Sequence, residues 1–125
     1  MAYEKRGETL PGIAAGADLS STGQHRFVDL DGSGEAVLAG AGAAVAGVLE
    51  NAPAQGEAAA IMGPGSVSKV EAGAAVSAGA DVTSDASGRA VTSASGNYIA
   101  GKAINAAGGA GELISVWICQ PGRTA

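Results

Sequence analysis

Short runs of β-branched residues, set between turns of Gly, Ser, Asp and Ala, occupy the stretch from Val70 to Ala103. This spacing points to a small single-domain β-barrel or sandwich of short strands. Val76, Val82 with Thr83, Val91 with Thr92, and Ile99 mark the runs. Strands built so largely from Ala and Gly carry little that can do chemistry, so a holding role is expected in place of catalysis. The chain has 125 residues and no charged or Pro-rich linker, which makes it one domain.

Within that domain the sequence divides into an N-terminal arm, residues 1–23, and a β-rich body, residues 24–125. The arm is polar and turn-rich, with Pro11, Gly12, Gly16, Ser20, Ser21 and Gly23 and no sustained period. Such a segment cannot by itself offset its conformational entropy. It is expected to be mobile until a partner surface orders it. The body's first strand is predicted over 25–30, with Arg26, Val28 and Leu30 on one face and His25, Phe27 and Asp29 on the other. A turn at Asp31-Gly32-Ser33-Gly34 follows, and further strands are predicted over 35–38, 44–49, 57–62, 66–70, 81–83, 90–92, 98–104 and 112–118.

The core available to these strands is thin. Val, Ile, Leu and Phe together make up 23 of the 125 residues, whereas Ala alone supplies 29. At roughly 25 cal/mol per Å² of buried apolar surface, so few bulky side chains favour a fold completed by association. An obligate or near-obligate oligomer is the expectation. The last strand agrees: Ile114, Val116 and Ile118 alternate onto one face while Leu113, Trp117 and Cys119 take the other. Only the inward face of a small barrel is buried, so Leu113 and Trp117 are predicted at a subunit contact.

Charge narrows the partners. The net charge of −5 and a pI near 4.6, with seven scattered basic residues, argue against a nucleic-acid partner. The start of the chain lacks the apolar run of a signal peptide. The longest apolar stretch, Ala36 to Leu49, falls short of the about 20 residues a bilayer span requires, and no membrane role is expected.

Several motifs imitate active sites. In AVLAGAGAAVAG, from Ala36 to Gly47, the glycines suggest a dinucleotide-binding turn, but Val45 stands where the third Gly belongs and Pro53 ends any helix. DLDGSGE, from Asp29 to Glu35, opens like a calcium loop, yet Gly40 occupies the place of the closing Glu. A tight polar turn is the expected reading. His25 with Asp29 or Asp31 and a serine could be drawn as a triad, but no nucleophile elbow is present. The lone Cys119 reads as a small buried apolar residue. The cadence of Val70 to Val91 is also similar to the hairpins of biotinyl and lipoyl carrier domains. Lys69 and Lys102 would be the modified residues of such a lysine-carrying or small-ligand-binding module, though neither has the usual flanking residues.

A second resemblance covers more of the chain. Its residues run from Gly47-Val48-Leu49-Glu50 through the Gln55-Gly56-Glu57 turn to Ala60-Ile61-Met62-Gly63. They continue with Val76, the Gly79-to-Val82 step, Gly88-Arg89-Ala90 and Ile99-Ala100-Gly101-Lys102-Ala103. The Gly109-to-Glu112 loop before Leu113-Ile114-Ser115-Val116 closes the series. In order and spacing, Ala44 to Ile118 resembles the capsid cement, or head decoration, proteins of tailed bacteriophages. This chain has Gly79-Ala80-Asp81 where Gly-Asp is commoner in that group. The resemblance implies a protein that is not an enzyme and needs no cofactor or metal. It would be made in the host cytoplasm and added to the outside of the virion head, often as a homotrimer, where it locks neighbouring major capsid protein subunits. Trimer against dimer stays open. Tyr3, Lys5, Arg6 and Leu10 of the arm are the expected capsid contacts, by strand addition to an exposed edge.

Overall fold

The computed structural model describes Ala2, Glu4, Thr9, Leu10 and residues 12–119. Ten short strands form two antiparallel sheets, and no helix occurs among the described residues. The first sheet holds β1 (Thr9–Leu10), β2 (Phe27–Leu30), β3 (Ala36–Leu38), β4 (Gly47–Leu49) and β5 (Ile61–Met62). The second holds β6 (Val67–Glu71), β7 (Asp81–Ser84), β8 (Ala90–Thr92), β9 (Gly101–Ala103) and β10 (Leu113–Trp117). The strand orders are β1-β5-β4-β2-β3 and β6-β10-β9-β7-β8. These are one topology used twice.

The repetition extends to individual residues. Val28 pairs with Leu38 and Leu30 with Ala36 in the first sheet, as Val82 pairs with Thr92 and Ser84 with Ala90 in the second. Phe27↔Val48 and Val48↔Met62 correspond to Asp81↔Lys102 and Lys102↔Trp117. Both β2–β3 and β7–β8 turn on the same motif, Asp31-Gly-Ser-Gly-Glu35 and Asp85-Ala-Ser-Gly-Arg89. Asp31 Oδ1 accepts from the Ser33 and Glu35 N–H groups, and Asp85 Oδ1 from those of Ser87 and Arg89. Gly34 and Gly88 hold the left-handed positions of the two turns, at φ 77° and 79°. A Cβ on Gly47 would strike the Met62 carbonyl, and one on Gly101 the Trp117 carbonyl. Close backbone approach requires glycine at both places.

Each sheet curls around its own interior. Ala15, Leu19, Val28, Ala36, Leu49, Ala59 and Ile61 fill the first. Their counterparts Ala72, Val76, Val82, Ala90, Ala103, Ile114 and Val116 lie in the second. Among the described residues the two edges of each sheet meet at a single bridge, Ala15↔Ala36 in the first and Ala72↔Ala90 in the second. A two-sheet sandwich therefore describes the molecule, and neither sheet closes into the barrel named as the alternative.

The larger core continues outward to Phe27, Ala39, Val45, Val48 and Met62, the outer face of the first sheet packed on the second unit. Phe27 and Val28, predicted on opposite faces of one strand, are both fully buried because β2 lies between two cores.

The packing of residues 13–23 differs from the expected unpacked arm. Ala15 N–H donates to Glu57 O, Ala59 N–H to Ile13 O and Leu19 N–H to Pro53 O, at 2.8–2.9 Å. Ala15 and Leu19 are buried, and Leu10 and Ile13 lean on the same core. The stretch is held because the first sheet, without it, would leave Val28, Leu49 and Ile61 exposed on one side.

Candidate functional site

The two most exposed large apolar side chains among the described residues, Leu113 and Trp117, lie on the outer face of the second sheet. Residues at alternate positions of paired strands share a face, which groups Leu113, Ser115 and Trp117 of β10 with Val67, Lys69 and Glu71 of β6 and Lys102 of β9. Leu113 and Trp117 are 44% and 45% exposed, although their strand is otherwise buried. Ile104 and Tyr98 add apolar surface nearby in the chain. The counterpart of Trp117, Met62, is buried under the second unit.

An ion pair lies on this face. Lys102 Nζ donates to Asp81 Oδ1 at 2.7 Å, and both side chains are nearly half exposed. The hydrogen bond to Asp81, and then its charge, raise the Lys102 pKa above the usual lysine value. Burial pushes the Cys119 thiol up, leaving it a poor nucleophile. Lys102 lies within β9 and Lys69 within β6, neither at a hairpin tip, so the lysine-carrier reading finds no presented lysine.

A second polar group joins the two units. Arg26 Nη2 lies 3.3 Å from Glu71 Oε2, and Nη1 donates to the Ser87 carbonyl at 3.0 Å. Arg89 reaches Asp85 Oδ2 at 3.2 Å and Glu71 Oε2 at 3.8 Å. These partly buried pairs sit beside the junction core and give the interface orientation more than strength.

The imitated active sites take structural parts. Asp31 spends its Oδ1 on the turn's own N–H groups, and no cluster of three metal-ligating side chains occurs among the described residues. His25 has φ 63° and stands where the second unit has Gly79, at φ 83°. Its N–H donates to Leu49 O just as that of Gly79 donates to Ala103 O. The residue holds a turn. Tyr3, Lys5 and Arg6 lie outside the described residues, while Leu10 pairs with Ile61 in β1 and is half-buried.

Leu30 was not anticipated as a surface feature: it ends β2 41% exposed, between Asp29 and Asp31. Alternation alone would bury it with Val28, and the departure is legible only beside its buried counterpart Ser84.

Two curled β units and an exposed apolar face around Trp117 make up the described molecule. The model of the phage cement protein family matches residues 23–118, and the chain belongs to that family. It is a structural protein of a phage head. In fold it is similar to the crystal structure of the head fiber gp8.5 N base in bacteriophage phi29. That likeness has a TM-score of 0.71 at 20% identity and covers 95% of each chain. Comparison with curated proteins gives no match.

Proposed function

We propose that the protein decorates the outer surface of a phage head and stabilises contacts between major capsid protein subunits, acting by binding alone and without catalysis. Membership of the cement family over residues 23–118 is the observation that carries this reading. Many weak contacts repeated over a shell can stabilise it without one strong site. Self-association, as a homotrimer, is part of the proposal: Trp117 and Leu113 offer an apolar face suited to a neighbouring copy. Tyr3, Lys5 and Arg6 contact the capsid, with β1 and Leu10 anchoring the segment that carries them.

The test is addition of purified protein to bare expanded heads, followed by sedimentation. Full-length protein is expected to co-sediment and to raise the temperature at which the heads disrupt. Removal of residues 1–8, which keeps β1, is expected to weaken binding while the melting temperature of the free protein changes little. Heads left undecorated by the full chain would refute the proposal.

A further inference from the structure

The two units meet in a way that can be repeated between chains. The first unit presents residues 25–27 and 39–42, with Val48 and Met62, to the second. Phe27 N–H donates to Gly88 O, Glu71 N–H to His25 O, Gly42 N–H to Ser84 O and Tyr98 N–H to Gly42 O, at 2.7–3.0 Å. The contact is head-to-tail: the outer face of one unit docks on the Asp85–Arg89 turn and the end of β7 in the other.

Because the units share one topology and register, each half of this contact has a counterpart left open elsewhere in the chain. Positions 25–27, 39–42, Val48 and Met62 correspond to 79–81, 93–96, Lys102 and Trp117. Ser84 and the Asp85–Arg89 turn correspond to Leu30 and the Asp31–Glu35 turn. Ser84 and Gly88 are buried, whereas Leu30 and Gly34 are exposed. Met62 is buried, whereas Trp117 is exposed. Among the described residues, two halves of one contact are thus left unfilled.

We propose that the Trp117–Lys102 face of one copy docks on the Leu30 and Asp31–Glu35 end of a second copy, repeating the internal contact. This rests on the self-association proposed above and specifies its geometry. The receiving end carries Asp29, Asp31 and Glu35, and the docking face sets Lys69 and Lys102 beside Glu71 and Asp81, so the apolar pair Trp117 and Leu30, not net charge, carries the contact. Two apolar anchors of the internal contact are exchanged, Phe27 for Asp81 and Val48 for Lys102. The contact between copies is therefore weaker than the internal one. A head-to-tail interface of this kind is heterologous, using two different patches, unlike a two-fold contact of Trp117 on Trp117.

Complementation separates these geometries. Trp117→Glu and Leu30→Glu are prepared as separate full-length proteins, both substitutions falling on exposed side chains, with melting curves as the check on folding. Lys102→Glu is a second variant of the docking face that keeps Trp117. By sedimentation in low salt, the wild-type chain is expected to associate and each variant alone to lose association by about tenfold or more. A mixture of Leu30→Glu with either docking-face variant is expected to give a species with one copy of each, since one intact pair of patches remains. If Leu30→Glu associates like the wild type, or the mixture stays monomeric, the head-to-tail contact is overturned while self-association stands. A wild-type chain that stays monomeric overturns both. Decoration of heads plays no part in this measurement.

Discussion

The two five-stranded units share their pairings, turns and close glycine contacts, and differ in what covers their outer faces. In the first, Phe27, Val48 and Met62 are buried against its neighbour; in the second, Asp81, Lys102 and Trp117 stand at the same places in solvent. The interiors, by contrast, exchange one apolar residue for another, as Leu19 for Val76 and Ile61 for Val116. Interior packing constrains volume and polarity at every position, while a face constrains them only where something lies against it. The difference locates the internal interface without reference to any partner.

The largest effect should come from the faces. Phe27→Ala opens a cavity at the junction and is expected to cost about 3–5 kcal/mol in denaturant unfolding, whereas Asp81→Ala at the matching place should leave the midpoint nearly unchanged. Similar losses at both would break the comparison. Next, Gly47→Ala and Gly101→Ala each push a Cβ into the carbonyl of the neighbouring strand. Both should destabilise by about 1–3 kcal/mol, in the range of overpacked positions, and a clear inequality would mean that one unit relaxes where the other cannot.

A smaller effect is expected at the turns. Asp31→Ala and Asp85→Ala each remove an acceptor shared by two N–H groups, at about 1–2 kcal/mol. The loss should be greater at Asp85, whose turn also holds Arg89 and supports Phe27. Thermal unfolding of the two variants orders them.

The Lys102–Asp81 pair should matter least to the isolated chain, since water and salt screen it. Its sign is definite. The hydrogen bond to Asp81, and then its charge, hold the folded-state pKa of Lys102 above the ordinary lysine value. The pair's contribution is therefore complete below that value and lost as pH rises through the raised folded pKa. Melting of the wild type and Lys102→Met should converge at high pH or high salt, and a gap that persists there would show that the lysine stem, not its charge, carries the difference.

Much of the strand pattern was legible before the fold was known. The runs around Phe27–Leu30, Val67–Glu71, Ala90–Thr92 and Leu113–Trp117 lie close to where β-branched residues and turn signals place them. Strand β1 escaped because two residues, Thr9 and Leu10, have no period; pairing with Ile61 and Met62 makes them a strand. The duplication is written in the chain as Val28-x-x-Asp31-x-Ser33-Gly34-x-Ala36-Val37 and again as Val82-x-x-Asp85-x-Ser87-Gly88-x-Ala90-Val91. Common small residues dominate the rest of each unit, so the pattern gains meaning only when the matching pairs are seen to make the same hydrogen bonds. Trp117 could be singled out as an outward aromatic, but Leu30 could not, because its exposure depends on the absence of a neighbour at the first unit's end.

The sequence by itself determined that the chain is β-rich and that a turn falls at Asp31-Gly32-Ser33-Gly34. These are local matters, settled by turn chemistry and side-chain type. Tertiary structure alone decided that residues 13–23 belong to a core, that β2 is buried on both faces, and that equivalent outer faces have opposite fates. Burial is a property of what the chain brings alongside a residue, and with so many alanines and so few bulky groups, no short window of this sequence records which neighbour that will be.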